Sequence, residues 1–475
     1  MQGASVIAAS TLISQVMAFA VAPFLTRLYS PSDFGVLAIL TSVVTVVGVL
    51  ASLRYEMAIP LADEEEKASN LLALTLALVV ATTITSIVGV ALGGQWLAQL
   101  LKIPALVDYL WALPIAILTI GLSQVFNSWA IRQRAYGSLA SSRIFQTFGG
   151  SGTQLAAGLL HLGALGLVLG QLVNQTISAI LLALTVRGRD RQRVRAVSRI
   201  NMRAVAREYH RFPKYSTGAV VLNAVSMQAP IFLLSYFFGP IVTGYYALGY
   251  RLLQVPINLI GQSVAQVYMS RARQALREGW IGQESLQLLQ VLIQLGVPLM
   301  LVVGISAPEA FGILFGSKWI TAGEYVQWLS PWIFLVLIAS PLSSISVIRE
   351  KQSIDLAMQA VLLLARVGSI GLGGYLGSPK LAILLFSISS AVVWLGFLAW
   401  IIHQTNNRIR PLLRFLGLEV IIAVILSIPL LIAKGFSLYF AHDLAVEVVA
   451  CAGLSALLMN FRLFQKLSRH KESIA

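Results

Sequence analysis

Apolar runs of about 20 residues, the length a helix needs to cross a hydrocarbon layer roughly 30 Å thick, recur along the whole of this sequence. They fall at 5–28, 36–61, 68–94, 110–131, 144–165, 166–186, 217–239, 243–269, 286–310, 325–348, 356–376, 381–402, 416–434 and 444–460. No water is available inside a bilayer to satisfy backbone N–H and C=O groups, so segments of this kind must be helical. The expectation is an all-α polytopic membrane protein of about 14 transmembrane helices. Only "LGALG" separates the fifth span from the sixth, which leaves a count between 12 and 14. Composition agrees: 57% of the 475 residues are hydrophobic and 11% are charged, whereas soluble domains carry roughly 25% charge.

The basic residues orient the spans. Arg27, Lys102, Lys318, Lys380 and Lys434 fall on one side, Arg54, Arg251 and Arg366 fall within spans, and the remaining 26 of the 34 Lys and Arg fall on the other side. Cytoplasmic loops carry the excess of positive charge, so both termini are expected in the cytoplasm. This asymmetry accounts for the net charge of +15 without nucleic acid. The run "RGRDRQRVRAVSRINMRAVAREYHRFPK" (187–214) lies between two spans and reads as a linker that fixes topology and touches anionic membrane lipid. One cysteine, Cys451, excludes an internal disulfide, and the five histidines (161, 210, 403, 442 and 470) show no ligand spacing, so neither metal nor cofactor is expected. With no Lys or Arg before Arg27, residues 5–28 lack the basic region of a signal peptide and read as a retained first span.

The basic linker also divides the chain. Residues 1–186 would form an N-terminal lobe, 217–402 a second six-helix lobe, and 403–475 two peripheral helices with a tail, the lobes enclosing a central cavity. A faint internal repeat supports two lobes. "LYSPSDFGVLAI" (28–39) and "FFGPIVTGYYAL" (237–248) align without gaps, matching Pro31 with Pro240, Gly35 with Gly244 and Ala38 with Ala247. Both are short outer turns in which Pro and Gly set the backbone. Copies six spans apart share one orientation, as in transporters built from parallel repeats.

The segments "LTRLYSPSDFGVLAIL", "RYEMAIPLADEEEKASNLLAL" and "GPIVTGYYALGYRLLQVPINLIGQSVAQV" closely resemble the polysaccharide-transport family. This is the O-antigen-type oligosaccharide flippase branch of the multidrug/oligosaccharidyl-lipid/polysaccharide exporter superfamily. The resemblance is strongest over 5–75 and 215–275 and identifies a family better than a substrate. It implies movement of an undecaprenyl-diphosphate-linked oligosaccharide across the bacterial inner membrane by alternating access, driven by a proton or sodium gradient. It leaves room for association with polysaccharide polymerase machinery. A lipid-II-type flippase and a multidrug exporter of the same superfamily remain alternatives, and a membrane polysaccharide polymerase is the alternative from another class. An enzyme is not expected: the longest outer segment, 95–109, is apolar, and no Ser/His/Asp set or GxxxxGK[ST] motif occurs.

Ionisable residues within spans are rare and usually face a bundle interior or a water-filled path. Arg54 and Glu56 are two apart in the second span, which on a helix puts them on nearly opposite sides, unable to pair with each other. Arg54 either snorkels toward the acidic loop about 13 Å away, pairs with a neighbouring helix, or faces a hydrated cavity. Arg251 lies about 12 Å inside the eighth span, Arg366 lies at mid-span with a buried pair to Glu419 or Glu447 as the alternative, and Arg27 is either an interface anchor or part of the same path. Arginine offers a planar fork to phosphate oxygens, so these four are the candidates for handling a diphosphate. Glu56 is the candidate coupling site, because a desolvated carboxylate holds a proton more readily. Tyr55, Tyr245, Tyr246, Tyr250, Trp328 and Trp332 are candidates for sugar stacking or for an interfacial belt.

Overall fold

A computed structural model of the chain describes residues 2–100, 102–187, 197–440 and 445–456. The C-terminal tail and residues 188–196 of the basic linker lie outside the described residues. Among the described residues seventeen helices follow one another: α1 (Gln2–Leu28), α2 (Pro31–Gly48), α3 (Glu65–Leu100), α4 (Ala112–Arg132), α5 (Tyr136–Leu159), α6 (Ala164–Arg187), α7 (Arg199–Glu208), α8 (Thr217–Pro256), α9 (Gln262–Glu278), α10 (Ile281–Phe315), α11 (Ile320–Ala339), α12 (Ser344–Ile348), α13 (Gln352–Tyr375), α14 (Pro379–Gln404), α15 (Ile409–Leu426), α16 (Ile428–Phe440) and α17 (Ala445–Ala456). Among the described residues there is no strand.

By length and apolar character ten of these helices can cross a membrane, or eleven if α15 and the start of α16, bent by 54°, form one span. The expected fourteen are not reached, for identifiable reasons. The seventh and eighth spans count as one because α8 is two helices meeting at a break, Gly239, with φ 79° and ψ −174°. The fifth, α5, is diluted by Ser, Gly, Gln and Thr, and the last, α17, is short. The eighth expected span also ends early: helix α8 stops at Pro256, a π turn covers Ile257–Gly261, and residues 262–278 form the separate, strongly amphipathic α9.

The chain folds as two compact units, Met1–Gly244 and Tyr245–Ala475. In the first, α5 packs on α1 and α6, α4 packs on α3 and α6, and α7 lies against α3. Its buried core includes Leu71, Val79, Ile117, Val125 and Trp129. In the second, α10, α11 and α14 form the centre, with α13 on α14 and α15 on α10, around Leu289, Leu292, Ile293, Ile338 and Phe397.

The second expected span, 36–61, differs most from the structure. Helix α2 starts earlier, because Ser30 caps it: the Ser30 hydroxyl accepts the Asp33 N–H at 3.3 Å, the Asp33 carboxylate accepts the Ser30 N–H at 2.8 Å, and Pro31 opens the first turn. It ends at Gly48, after which the chain turns and runs as a 3₁₀ helix over Tyr55–Leu61. Leu53 and Arg54 both take left-handed conformations, at φ 48° and 65°, a placement that costs a residue with a side chain about 1–2 kcal/mol. Neighbouring side chains hold it. Thr82 donates to the Ala51 carbonyl at 3.2 Å, Thr217 to that of Leu53 at 3.1 Å, and Arg132 to those of Ile59, at 3.1 Å, and Ala62. The Tyr55 hydroxyl reaches the Ala206 carbonyl on α7 at 2.9 Å.

Candidate functional site

The reversal after Gly48 brings together two residues that a continuous helix would keep apart. Arg54 Nη1 lies 3.3 Å from Glu56 Oε1. The expectation that they cannot pair is corrected: it assumed helical geometry, and the two left-handed residues abolish that. Ser52 donates its hydroxyl to the other Glu56 oxygen, so a carboxylate only 3% exposed has both oxygens engaged. Arg54 is less committed. Its side chain is 24% exposed, and its Nε finds no acceptor among the described residues. The guanidinium is therefore only partly covered.

Arg251 is exposed on α8, within an apolar segment, and among the described residues it has neither hydrogen bond nor ion pair. Arg366 differs: it is buried in α13, within electrostatic reach of the Tyr246 and Tyr250 hydroxyls. Of its two expected acidic partners, Glu419 is buried on α15 and accepts a hydrogen bond from Gln294 at 3.2 Å, whereas Glu447 is exposed. Arg27 is exposed in the last turn of α1, where a cation complements the helix dipole. Glu309 pairs with Lys434. The structure thus unites Arg54 with Glu56 and leaves Arg27, Arg251 and Arg366 in separate surroundings.

The aromatic candidates serve one another more than a ligand. Tyr246 and Tyr250 stack at 5.5 Å, Tyr250 and Trp332 at 5.9 Å, and Trp332 meets Phe386 edge-on at 4.9 Å. Tyr246, Trp332 and Phe386 are buried and pack together within the second unit.

Two polar contacts escaped sequence reading. Ser42 on α2 lies 2.9 Å from the Gln228 side-chain oxygen on α8; a glutamine at mid-span was the available signal. Arg132, which read as one loop charge among many, reaches into the 59–62 backbone and lies 3.8 Å from Glu65.

The turn residues fall at one crossing. Pro31 and Gly35 on α2 face Gly244 and Pro240 on α8, so closely that a Cβ on either glycine would collide with the opposite proline's carbonyl oxygen. Helix α2 carries this contact at its start and the Arg54–Glu56 turn beyond its end, so the two lie about 27 Å apart along the helix.

Helical and without strands among its described residues, with ten or eleven helices apolar enough to cross a membrane, the chain has the fold of a multi-pass membrane protein. The lipid II flippase MurJ, in its inward closed conformation, superposes with a TM-score of 0.74 over 97% of this chain and 99% of its own, at 10% identity. An inward-facing multidrug resistance MATE family transporter of the MOP superfamily superposes with a TM-score of 0.67 over 82% and 94%, at 16% identity. The chain belongs to the family described as polysaccharide biosynthesis protein, whose profile matches residues 24–324. The succinoglycan biosynthesis transport protein ExoT of Rhizobium meliloti (strain 1021) is 24% identical over 407 residues, covering 82% of this chain and 77% of that protein. The relative is a transport protein, and the two structural neighbours are a flippase and a multidrug transporter.

Proposed function

We propose that this protein moves a polyprenyl-diphosphate-linked oligosaccharide across the cytoplasmic membrane by alternating access, for assembly of a surface polysaccharide. Family membership supports the transport of polysaccharide precursors. The observation that carries the diphosphate is Arg251, exposed in an apolar segment and, among the described residues, without an ion pair or hydrogen bond. A lone cation there is costly, and a diphosphate supplies the charge and the oxygen geometry that a guanidinium takes best. Arg54, whose Nη1 rests on Glu56, would meet the same head group nearer the cytoplasm, and Arg27 and Arg366 are further candidates. Successive partial sites suit a path, whereas one tight site would trap the charge. Glu56 is the candidate for an ion-coupled step, because it holds Arg54 when no substrate does. Partners on this reading are the lipid-linked oligosaccharide, a proton or sodium ion, and the polymerase machinery that receives the product.

A lipid-II-type substrate shares the diphosphate, so the assay must separate the two. The wild-type chain is introduced into one strain lacking its oligosaccharide flippase and another depleted of its lipid II flippase. Restored surface polysaccharide in the first, without rescue of the second, is expected; rescue of the second alone would overturn the substrate reading. Arg251→Lys should transport partially and Arg251→Ala hardly at all, at equal abundance in the membrane.

A further inference from the structure

The Pro-Gly turns make a contact whose geometry goes beyond a repeat. A Cβ on Gly35 would sit 2.6 Å from the Pro240 carbonyl carbon and 2.9 Å from its Cα, besides colliding with the carbonyl oxygen. A Cβ on Gly244 would sit 2.8 Å from the Pro31 carbonyl carbon and 3.0 Å from Gly35 N. Each glycine thus directs a Cα–H at the opposite proline's carbonyl oxygen, Pro31 opening α2 and Pro240 following the break in α8. Exchanging the two repeats, Pro31 for Pro240 and Gly35 for Gly244, maps the contact onto itself.

Only backbone meets backbone here, so the surfaces cannot yield by a change of rotamer. Ordinary Cβ contacts begin near 3.4 Å, and any side chain at either glycine must part the helices. The attraction is weak all the same, since Cα–H···O contacts are individually small in condensed phases. Close fit with weak adhesion suits a surface that separates and re-forms. We infer that this reciprocal contact is the closure at the outer end of the transport path: a two-fold backbone latch that parts when the protein opens outward, its strength set by Gly35 and Gly244. The inference rests on the transport reading but not on the identity of the substrate.

Reciprocity gives the test its sharpness. One added methyl group separates both halves of the contact, so Gly35→Ala and Gly244→Ala should act alike, and the double variant should be no worse than either. The reporter is Thr243→Cys, fully buried beside Gly244, in a Cys451→Ser background. Modification of purified, membrane-reconstituted protein by a water-soluble maleimide should accelerate roughly five- to thirty-fold in each single variant and no further in the double. Gly89→Ala, where a Cβ meets nothing within 4 Å, should leave the rate unchanged. In cells, Ser32→Cys and Ile241→Cys, flanking the contact, should stop transport when joined by a short cleavable maleimide cross-linker, and cleavage should restore it. Unchanged labelling in the glycine variants, rates that multiply in the double variant, or full transport by the cross-linked protein would each overturn the latch. If the uncross-linked protein fails to complement, the transport reading falls, and the labelling result still decides whether the contact opens.

Discussion

Arg54 and Glu56 are joined at 3.3 Å across a left-handed backbone turn, and the pair ties a local fold to a proposed function. The carboxylate is buried and doubly engaged, whereas the guanidinium is partly open. Such a pair can hand its cation to a competing anion without leaving the arginine bare. The acid bears the loss, with Ser52 still donating to it.

Removal of Arg54 therefore has a structural consequence separable from transport. Arg54→Ala leaves Glu56 buried without its cation, at a cost of about 1–3 kcal/mol, and should lower the thermal unfolding temperature of the detergent-solubilised protein. Adding Glu56→Gln should recover most of that loss without restoring transport. If the double variant is no more stable than Arg54→Ala, the pair contributes little to the fold.

The backbone at position 54 separates the two roles again. Glycine adopts φ 65° freely, whereas alanine does not. Arg54→Gly should therefore be more stable than Arg54→Ala by about 1 kcal/mol, while both lack the guanidinium and transport equally poorly. Equal unfolding temperatures would show that the turn relaxes out of the left-handed region.

Arg132 anchors the same turn from α4. Arg132→Ala removes hydrogen bonds to two carbonyls and a partner of Glu65. A loss of about 2–3 kcal/mol is expected, read as a lower unfolding temperature and faster proteolysis near 49–62. Arg132→Lys should recover part of it, because one ammonium reaches fewer of these acceptors.

Much of the fold was legible because lipid imposes strong rules. The 20-residue runs required helices, and the Pro31/Gly35 and Pro240/Gly244 echo marked turns that the structure places in contact. What escaped was set by contacts distant in sequence. From Leu50 to Leu61 the chain has neither glycine nor a proline before Pro60, so nothing local announces that α2 ends at Gly48. Thr82, Thr217 and Arg132 hold that end from three other helices. Arg54 and Glu56 were legible as charges worth watching, but not as a pair. The polar face of 262–278 was readable, yet the apolar residues before it drew the eighth span too far.

Orientation is open to a direct check. Cysteines placed at Arg195 and His470 should resist an impermeant maleimide added outside intact cells, and one at Lys318 should react. Labelling at position 195 from outside would reverse the topology inferred from charge.

Transport of the lipid-linked oligosaccharide by the purified protein tests the central claim most directly. Proteoliposomes loaded with a polyprenyl-diphosphate-linked oligosaccharide are probed with a lectin or glycosidase that reaches only the outer leaflet. Wild-type protein should expose substrate faster than empty vesicles, Arg251→Lys should do so partially, and Arg251→Ala and Arg54→Ala should fall near the empty-vesicle rate. Wild-type rates for well-folded Arg54→Ala and Arg251→Ala would show that neither arginine handles the diphosphate, and would contradict the account.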